Sequence, residues 1–451
     1  MNLNRGSLFN LMYKTKPDQS TSLPTGIAYI VSNEAAERFS YYGMRAILVV
    51  FMTQYLLNES GQRDVMSDNE AQGYFHLFVS SVYFMPLLGA LLADGVLGKY
   101  KTIILLSSMY CLGHFALAID NTRMGLLLGQ ALIAIGAGGI KACVSAHIGD
   151  QFGVGNQHLM SKVYSWFYFA INLGAFSAML IIPWLLEHYG ASVAFAVPGL
   201  LMLLATLIFW SGRYRFVHVP PAGLGFIKEM CSQVGLKCLA KLGVIYAFIA
   251  VFWALFDQTG SSWIVQAQKM DRVVFGVELL PSQIQAANPL LIMLLVPLFS
   301  YVIYPLLSRI LTLTPLTKMK IGLFITVIAF AIPSVLQMQL DEGLTPSIVW
   351  QLLAYILLTS AEVMVSITCL EFSYTQAPKT MKSFIMAFYY LSVAVGNLFT
   401  SAVNFFIHNP DGSSQLAGAC YFWFFTGLML ITAVLFIFVS RRYQENVRVN
   451  T

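Results

Sequence analysis

Apolar runs long enough to cross a bilayer recur along this chain, and they constrain its fold more than any motif does. A spanning helix needs about 20 apolar residues. Twelve segments reach that length: roughly 25–57, 70–95, 100–120, 124–148, 161–187, 192–212, 240–268, 282–311, 316–340, 346–375, 380–408 and 417–441. The 451-residue chain is 57% hydrophobic and 10% charged, whereas a soluble protein is roughly a quarter charged. It lacks the polar residues to cover a water-facing surface, so lipid is its natural solvent. Alternating ten-residue strands are absent, which argues against a β-barrel. The expectation is an all-α, multi-pass membrane protein of twelve transmembrane helices in a cell (inner) membrane.

Basic residues orient such a chain. Of the 26 Lys and Arg, only Arg63, Arg123, Lys269 and Arg272 fall on odd-numbered loops, and most of the rest lie on the termini and even-numbered loops. Both termini are therefore expected in the cytoplasm. The net charge of +5 is a topology signal and gives no reason to expect nucleic acid. The basic stretch MNLNRGSLFNLMYK is followed by no apolar core with a cleavage site and reads as a cytoplasmic tail. The six cysteines (Cys111, Cys143, Cys231, Cys238, Cys369 and Cys420) show no paired or metal-ligand spacing, so no metal site is expected.

The widest break, SGRYRFVHVPPAGLGFIKEMCSQVGLKCLAK, carries Pro220 and Pro221 and splits the spans six and six. This gives a cytoplasmic tail (1–24), a six-helix bundle (25–212), a linker (213–239), a second bundle (240–441) and a tail (442–451). Two such halves around a central cavity are the layout of many transporters. GALLADGVLGKYKTI joins spans two and three. Its Gly89, Asp94, Gly98, Lys99 and Lys101 resemble the loop signature of the major facilitator superfamily, and YPLLSRILTLTPLTKMKIGL repeats a short basic turn between spans eight and nine.

Ionisable groups inside the bilayer are expensive and are functional candidates by default. These spans hold Arg38, Arg45 and Lys141 against Glu34, Glu37, Asp257 and Glu362, with His76 and His114. Four acids cannot all pair with three bases, which leaves room for a mobile proton. In SNEAAERFSYYGMRAIL, residues Glu34, Glu37, Arg38, Tyr41 and Arg45 share one helix face. Glu34 and Arg38 form an i,i+4 pair, and the stripe is expected to face a wet cavity between the halves.

NEAAERFSYYGMRA resembles the first-helix motif ExxERFxYYG of the proton-dependent oligopeptide transporter family. GALLADGVLGKYKT, GGIKACVSAHIGDQF, FYFAINLG, FWALFDQTGS and EFSYTQAP resemble that family's other signatures, in order, over residues 25–440. Bacterial members often carry an extra helical pair between the halves, for which this linker is too short. Mammalian intestinal and renal members carry a large external domain between spans nine and ten, where this chain has QLDEGLTPS. The core is otherwise similar to the mammalian type, as in FHLFVSSVYFMPLLGALLAD and FWALFDQTGSSW.

The resemblance implies a major facilitator fold and proton-coupled import of di- and tripeptides by alternating access. The driver would be the proton gradient, with no cofactor, and the protein would work as a monomer. A dipeptide is a zwitterion, so a promiscuous site grips its two ends. Arg45 and Lys141 suit the carboxylate, and the small residues of IGAGGIKACV let helices approach closely before Lys141. Glu362, Ser366, Asn172 and Asn288 suit the ammonium end. Tyr41, Tyr42, Tyr83, Tyr168 and Trp253 match the family's aromatic pocket positions. Glu34, Glu37 and Arg38 belong to its coupling motif, and His76 and Asp257 match a histidine and a span-seven acid typical of mammalian members. An Arg45–Asp257 pair is expected to gate the external side, and a Lys141–Glu362 bridge to tie the halves on occasion.

Departures are visible. Tyr389 stands where many relatives carry Trp. Ser300 stands where an acid would partner Lys241 in mammalian relatives, so that bridge is not expected. His114 has no motif support and reads as structural. The competing reading keeps the fold and changes the cargo to nitrate, an amino acid or a peptide-like drug; Glu362 argues against a bare anion. An enzyme is not expected, because no HExxH, paired-aspartate or serine-nucleophile pattern is present.

Overall fold

The computed structural model describes residues 13–221, 223, 225, 232–376, 382–407 and 414–443. Cys231, the last residues of EFSYTQAP and the outer parts of both tails lie outside the described residues. Twelve long helices follow in chain order. Helix α1 (Ile27–Val50) continues into a π turn (Phe51–Tyr55). Helices α2 (Asp68–Leu97), α3 (Lys99–Ile119), α4 (Arg123–Gly149), α5 (Gln157–Tyr189) and α6 (Ala191–Tyr214) complete the first half. The second half comprises α7 (Gln233–Ala267), α8 (Pro281–Leu307), α9 (Pro315–Asp341) and α10 (Val349–Gln376), then α11 (Lys382–Phe406) and α12 (Ala419–Arg442). Eleven of these are long and apolar enough to cross a membrane. The exception is α1, whose Glu34, Glu37, Arg38 and Arg45 lower its hydropathy.

Each half has its own apolar core. One gathers residues of the first half, from Ile27 to Phe216, together with Val265 of α7; the other gathers α7–α12, from Leu242 to Phe436. Tyr83 packs against both. Short connections alternate between two ends of the bundle. The linker end carries the N-terminal segment and residues 215–221; the far end carries the loops after α1, α3 and α7.

Glycine sets the closest helix contact. A Cβ on Gly89 of α2 would lie 2.0 Å from the carbonyl oxygen of Gly139 on α4, and one on Gly138 would lie 2.3 Å from that of Val82. With no side chain at these positions the two backbones touch, and α4 then carries Lys141 against α2. The small residues before Lys141 do the packing that the sequence suggests.

Three features differ from the sequence reading. Helix α7 begins inside the segment expected as linker, because Ser232 caps it by accepting from Gly235 N at 3.1 Å. The loop after α7 forms a hairpin of β1 (Val273–Val274) and β2 (Val277–Glu278). Among the described residues five π turns interrupt or extend the helices, including Ala134–Gly138 just before Lys141 and Val363–Ile367 just after Glu362. Such bulges recur at functional sites.

Candidate functional site

The charged stripe of α1 is buried more fully than a wet cavity would leave it. Glu34, Glu37, Arg38 and Arg45 are all under a tenth exposed, a correction to the expectation drawn from spacing. Helical geometry makes the local cluster. Arg38 Nε lies 2.6 Å from Glu34 Oε1, one turn back, and 2.9 Å from Glu37 Oε2. Only the Glu34 contact has hydrogen-bond geometry, and both Glu37 oxygens are buried with no hydrogen-bond partner among the described residues. Two carboxylates around one guanidinium hold an excess negative charge, which a proton on one of them removes.

Two turns further on, Arg45 makes the central contact between the halves. Its Nη2 donates to Asp257 Oδ1 at 2.5 Å. Asp257 ends the regular part of α7, where the chain passes through a 3-10 turn (Asp257–Gly260). Its second oxygen accepts from Asn397 Nδ2 of α11 at 2.7 Å. That amide nitrogen also donates to Val393 O at 3.0 Å, so Asn397 Oδ1 is the acceptor facing His76 Nδ1 at 2.7 Å. The amide therefore fixes the tautomer: neutral His76 donates from Nδ1 and accepts at Nε2 from Ser261 Oγ, 2.8 Å away. Arg45, Asp257, Asn397, His76 and Ser261 form one continuous polar chain, with α1 and α2 on one side and α7 and α11 on the other. His76, Asn397 and Ser261 are fully buried.

Other bonds cross between the halves near this chain. Ser80 Oγ donates to Ala394 O and Ser401 Oγ to Gly73 O, both at 2.8 Å. Gln283 Nε2 reaches Leu180 O at 2.9 Å and Gln285 Nε2 reaches Ala46 O at 3.2 Å. Towards the linker end the halves part around a cavity of about 520 Å³, lined by Ala142 and Tyr164 from one half and by Tyr374, Met386 and Tyr390 from the other.

Lys141 sits between the two zones. Its Nζ lies 4.5 Å from the Tyr41 ring centre and 5.0 Å from that of Tyr83, and no carboxylate stands within ion-pair distance among the described residues. Aromatic faces hold a cation without neutralising it. The occasional Lys141–Glu362 bridge is absent here. Glu362 of α10 instead accepts from Asn288 Nδ2 of α8 at 2.8 Å and has no basic partner among the described residues. Asn172 turns back on its own helix to Tyr168 O at 2.9 Å, while Tyr168 is 39% exposed. Tyr42 packs edge-on to Tyr41, with ring centres 5.2 Å apart. Trp253 is buried on α7. Tyr389 hydrogen-bonds Ser366 Oγ through its hydroxyl at 3.0 Å. His114 is fully buried inside the first half, against Tyr110, whose hydroxyl lies 3.5 Å from Glu37 O.

The structure thus brings Arg45, Asp257 and His76 into one network and leaves Lys141 and Glu362, a base and an acid, with no ion pair among the described residues. Asn397 and Ser261 escaped the sequence reading. A fully polar amide in the apolar run LSVAVGNLFTSA was the available signal.

The sequence profile of the POT family (PTR2) matches residues 100–236 and 226–424. "Peptide transporter family 1" of Drosophila melanogaster is 39% identical over 367 residues, covering 71% of this chain and 48% of that protein. "Solute carrier family 15 member 1" of Homo sapiens is 34% identical over 384 residues, covering 71% of this chain and 53% of that protein. The chain spans about half the length of these curated relatives. Among solved structures, the POT family transporter PepTSo superposes with a TM-score of 0.84 at 36% identity, covering 94% of this chain and 99% of that one.

Proposed function

The chain belongs to the POT family, a family of integral membrane transporters, and from that premise we propose that it is a proton-coupled symporter of di- and tripeptides working by alternating access. The reading takes all twelve helices as spans, the linker end as cytoplasmic, and residues 25–212 and 240–441 as the two moving halves. The observation that carries it is the opposed pair of uncommitted charges, Lys141 and Glu362, beside the buried network that closes the far end. A peptide's carboxylate matches Lys141, caged by Tyr41 and Tyr83; its ammonium matches Glu362, steadied by Asn288. Side chains would meet the looser aromatic wall of Tyr42, Tyr168, Trp253 and Tyr389, near Asn172 and Ser366.

In the closed far end, Arg45 is committed to Asp257. A proton arriving from outside on His76 or Asp257 weakens that commitment, because a neutral Asp257 no longer holds the guanidinium. The far end opens, Arg45 becomes a second base for the peptide carboxylate, and the halves rock over. On the inner side, Glu34, Glu37 and Arg38 receive the proton. The chemistry needs no cofactor beyond the gradient, and one copy of the chain contains every group invoked.

Reconstitution into liposomes with an imposed pH gradient tests this. Labelled dialanine should accumulate as outside pH falls, and unlabelled tripeptides should compete where nitrate and single amino acids do not. Glu37→Gln should abolish gradient-driven accumulation yet spare counterflow exchange. Competition by nitrate alone would move the cargo to simple anions, and accumulation surviving Glu37→Gln would remove that residue from coupling.

A further inference from the structure

The hairpin after α7 carries a phenylalanine in a backbone conformation that phenylalanine disfavours. Phe275 and Gly276 form the two-residue loop between β1 and β2, with φ of 50° and 80°. Positive φ at both central positions is the pattern of a type I′ turn, which strongly prefers Asn-Gly or Asp-Gly. Among the described residues Phe275 is the one non-glycine residue with positive φ, and bulky side chains rarely adopt it. No contact inside the protein offsets that strain: the Phe275 side chain is fully exposed, and Val273 and Val277 beside it are exposed as well. An outlier held without an internal contact points to an external one.

The base of the hairpin is firmly bonded. Arg272 donates from Nε to Leu279 O at 2.9 Å, from Nη1 to Gln268 O at 3.1 Å and from Nη2 to Glu278 Oε1 at 2.8 Å. Its charge is tied to the base, and residues 273–277 carry none. Val274 and Leu279 pack on the core of the second half, which leaves Val273, Phe275 and Val277 outward.

The hairpin also stands where the helices leave the bilayer. Asp271 N donates to Pro346 O at 3.0 Å, and Ile348 N donates to Asp271 O at 2.8 Å. Two residues beyond Ile348, in the first turn of α10, Trp350 is exposed. Exposed tryptophans at span ends mark the headgroup level, and Trp184 on α5 and Trp423 on α12 are exposed near the same end. Phe275 follows Asp271 by four residues, at most about 13 Å of extended chain, a reach that overlaps the headgroup layer. Helix α8, which follows the hairpin, exposes Leu290, Leu294 and Leu298. These form an i,i+4 stripe on the face opposite Asn288, an apolar surface continuous with the hairpin and suited to lipid.

We propose that the hairpin between α7 and α8 is a membrane anchor, with Phe275, flanked by Val273 and Val277, inserted into the bilayer interface at the far end. The lipid supplies the apolar contact that the protein does not, and the turn aims the ring outward to reach it. Insertion fixes the far end of the second half relative to the bilayer plane. The proposal rests on the chain spanning a membrane and is independent of which solute it carries.

Phe275→Trp keeps an aromatic ring at the tip and reports its surroundings. Its emission is read as the difference from the parent protein, whose seven tryptophans stay in place. The full chain is placed one copy per nanodisc in phosphatidylcholine, with or without bromine near the headgroup end of an acyl chain. Bromine quenches tryptophan only on close approach. The added emission should lose about half its intensity in brominated discs, as a ring lying about 5–10 Å into the interface would, and it should resist aqueous iodide. Glu59→Trp, at an exposed position in the loop after α1, should do the reverse and be quenched by iodide alone. Emission at the tip that iodide quenches and bromine leaves unchanged places the hairpin in water and overturns the proposal. Shielding from iodide that arises only when many copies share a liposome, with no bromine effect, assigns the tip to a second copy and equally overturns it.

Discussion

The two ends of the interface between the halves are built on opposite principles. At the far end the charge that crosses is matched: Arg45 meets Asp257 at 2.5 Å, and Asn397 and His76 extend the pairing. Towards the linker end, Lys141 is held by two tyrosine rings, Glu362 by one amide, and the halves part around a cavity. A matched buried pair locks, since losing one partner strands the other. An unmatched charge waits for a ligand. The contrast teaches that one fold holds its gate and its binding site with the same residue types, separated only by whether the counter-charge is already present.

The strongest way to break the contrast is to unmatch the gate. Asp257→Ala strands Arg45 in a buried site, a change that costs about 3–5 kcal/mol when nothing relieves it. Opening of the far end relieves it by wetting the guanidinium. Spin labels at the exposed positions Glu59 and Leu344 should report a population with a longer separation, dominant in the variant and minor in the parent. An unchanged distance distribution would mean that the surrounding bonds, and not the ion pair, hold this end shut.

The converse change falls on the unmatched charge. Lys141→Gln removes a cation with no carboxylate within ion-pair distance among the described residues, so no direct ion pair is broken by its loss. Thermal stability should hold or rise, while peptide affinity falls roughly 10- to 100-fold, the worth of one charge-assisted hydrogen bond of about 1.5–3 kcal/mol. Calorimetric titration with dialanine, beside a melting curve, checks both halves of this expectation. A large loss of stability would show that Lys141 is a structural partner after all.

How much of this was legible beforehand follows from what periodicity can carry. The spans and their six-and-six division were visible because apolar length is written in the sequence, and α1 gave up its stripe because offsets of three and four fix a helix face. The Arg45–Asp257 contact was expected from the motifs, since no spacing rule reaches across 212 residues. Asn397 was not found, because a single amide in an apolar helix more often serves packing, and only the meeting of α2, α7 and α11 shows that it bonds two ionisable groups. The five π turns were equally hidden. Two of them, Ala134–Gly138 and Val363–Ile367, flank Lys141 and Glu362, and no spacing of residue types marks them. The burial of Glu34 and Glu37 was misjudged for a related reason: a charged face signals a polar neighbour, and here that neighbour is Arg38 on the same helix.

A milder change tests whether the far end closes by many small bonds as well as by its ion pair. Ser401→Ala deletes the hydroxyl that donates to Gly73 O across the halves. One neutral hydrogen bond is worth about 1 kcal/mol, so the same spin-label pair should show about a fivefold gain in the open population. No gain would place the whole closing energy in the Arg45 network.

The smallest expected effect concerns protons. The far-end loop of the first half is latched by Arg123, which donates to Asp64 Oδ2 at 2.8 Å and to Glu70 Oε1 at 2.8 Å. The Arg123 hydrogen bond holds the Asp64 carboxyl below the usual carboxylate range. A depressed folded value means that the latch's contribution is complete above the unfolded value, about pH 4, and is lost only as pH falls through the lower folded value. Between about pH 5 and 7, where histidine titrates, Asp64 stays ionised and the loop stays latched. Asp64→Asn should therefore leave the shape of the uptake–pH profile unchanged, even if it lowers the rate overall. His76→Gln, two turns into α2, should flatten that profile. If Asp64→Asn moves the profile instead, the proton that opens the far end is sensed at the loop and not in the buried network.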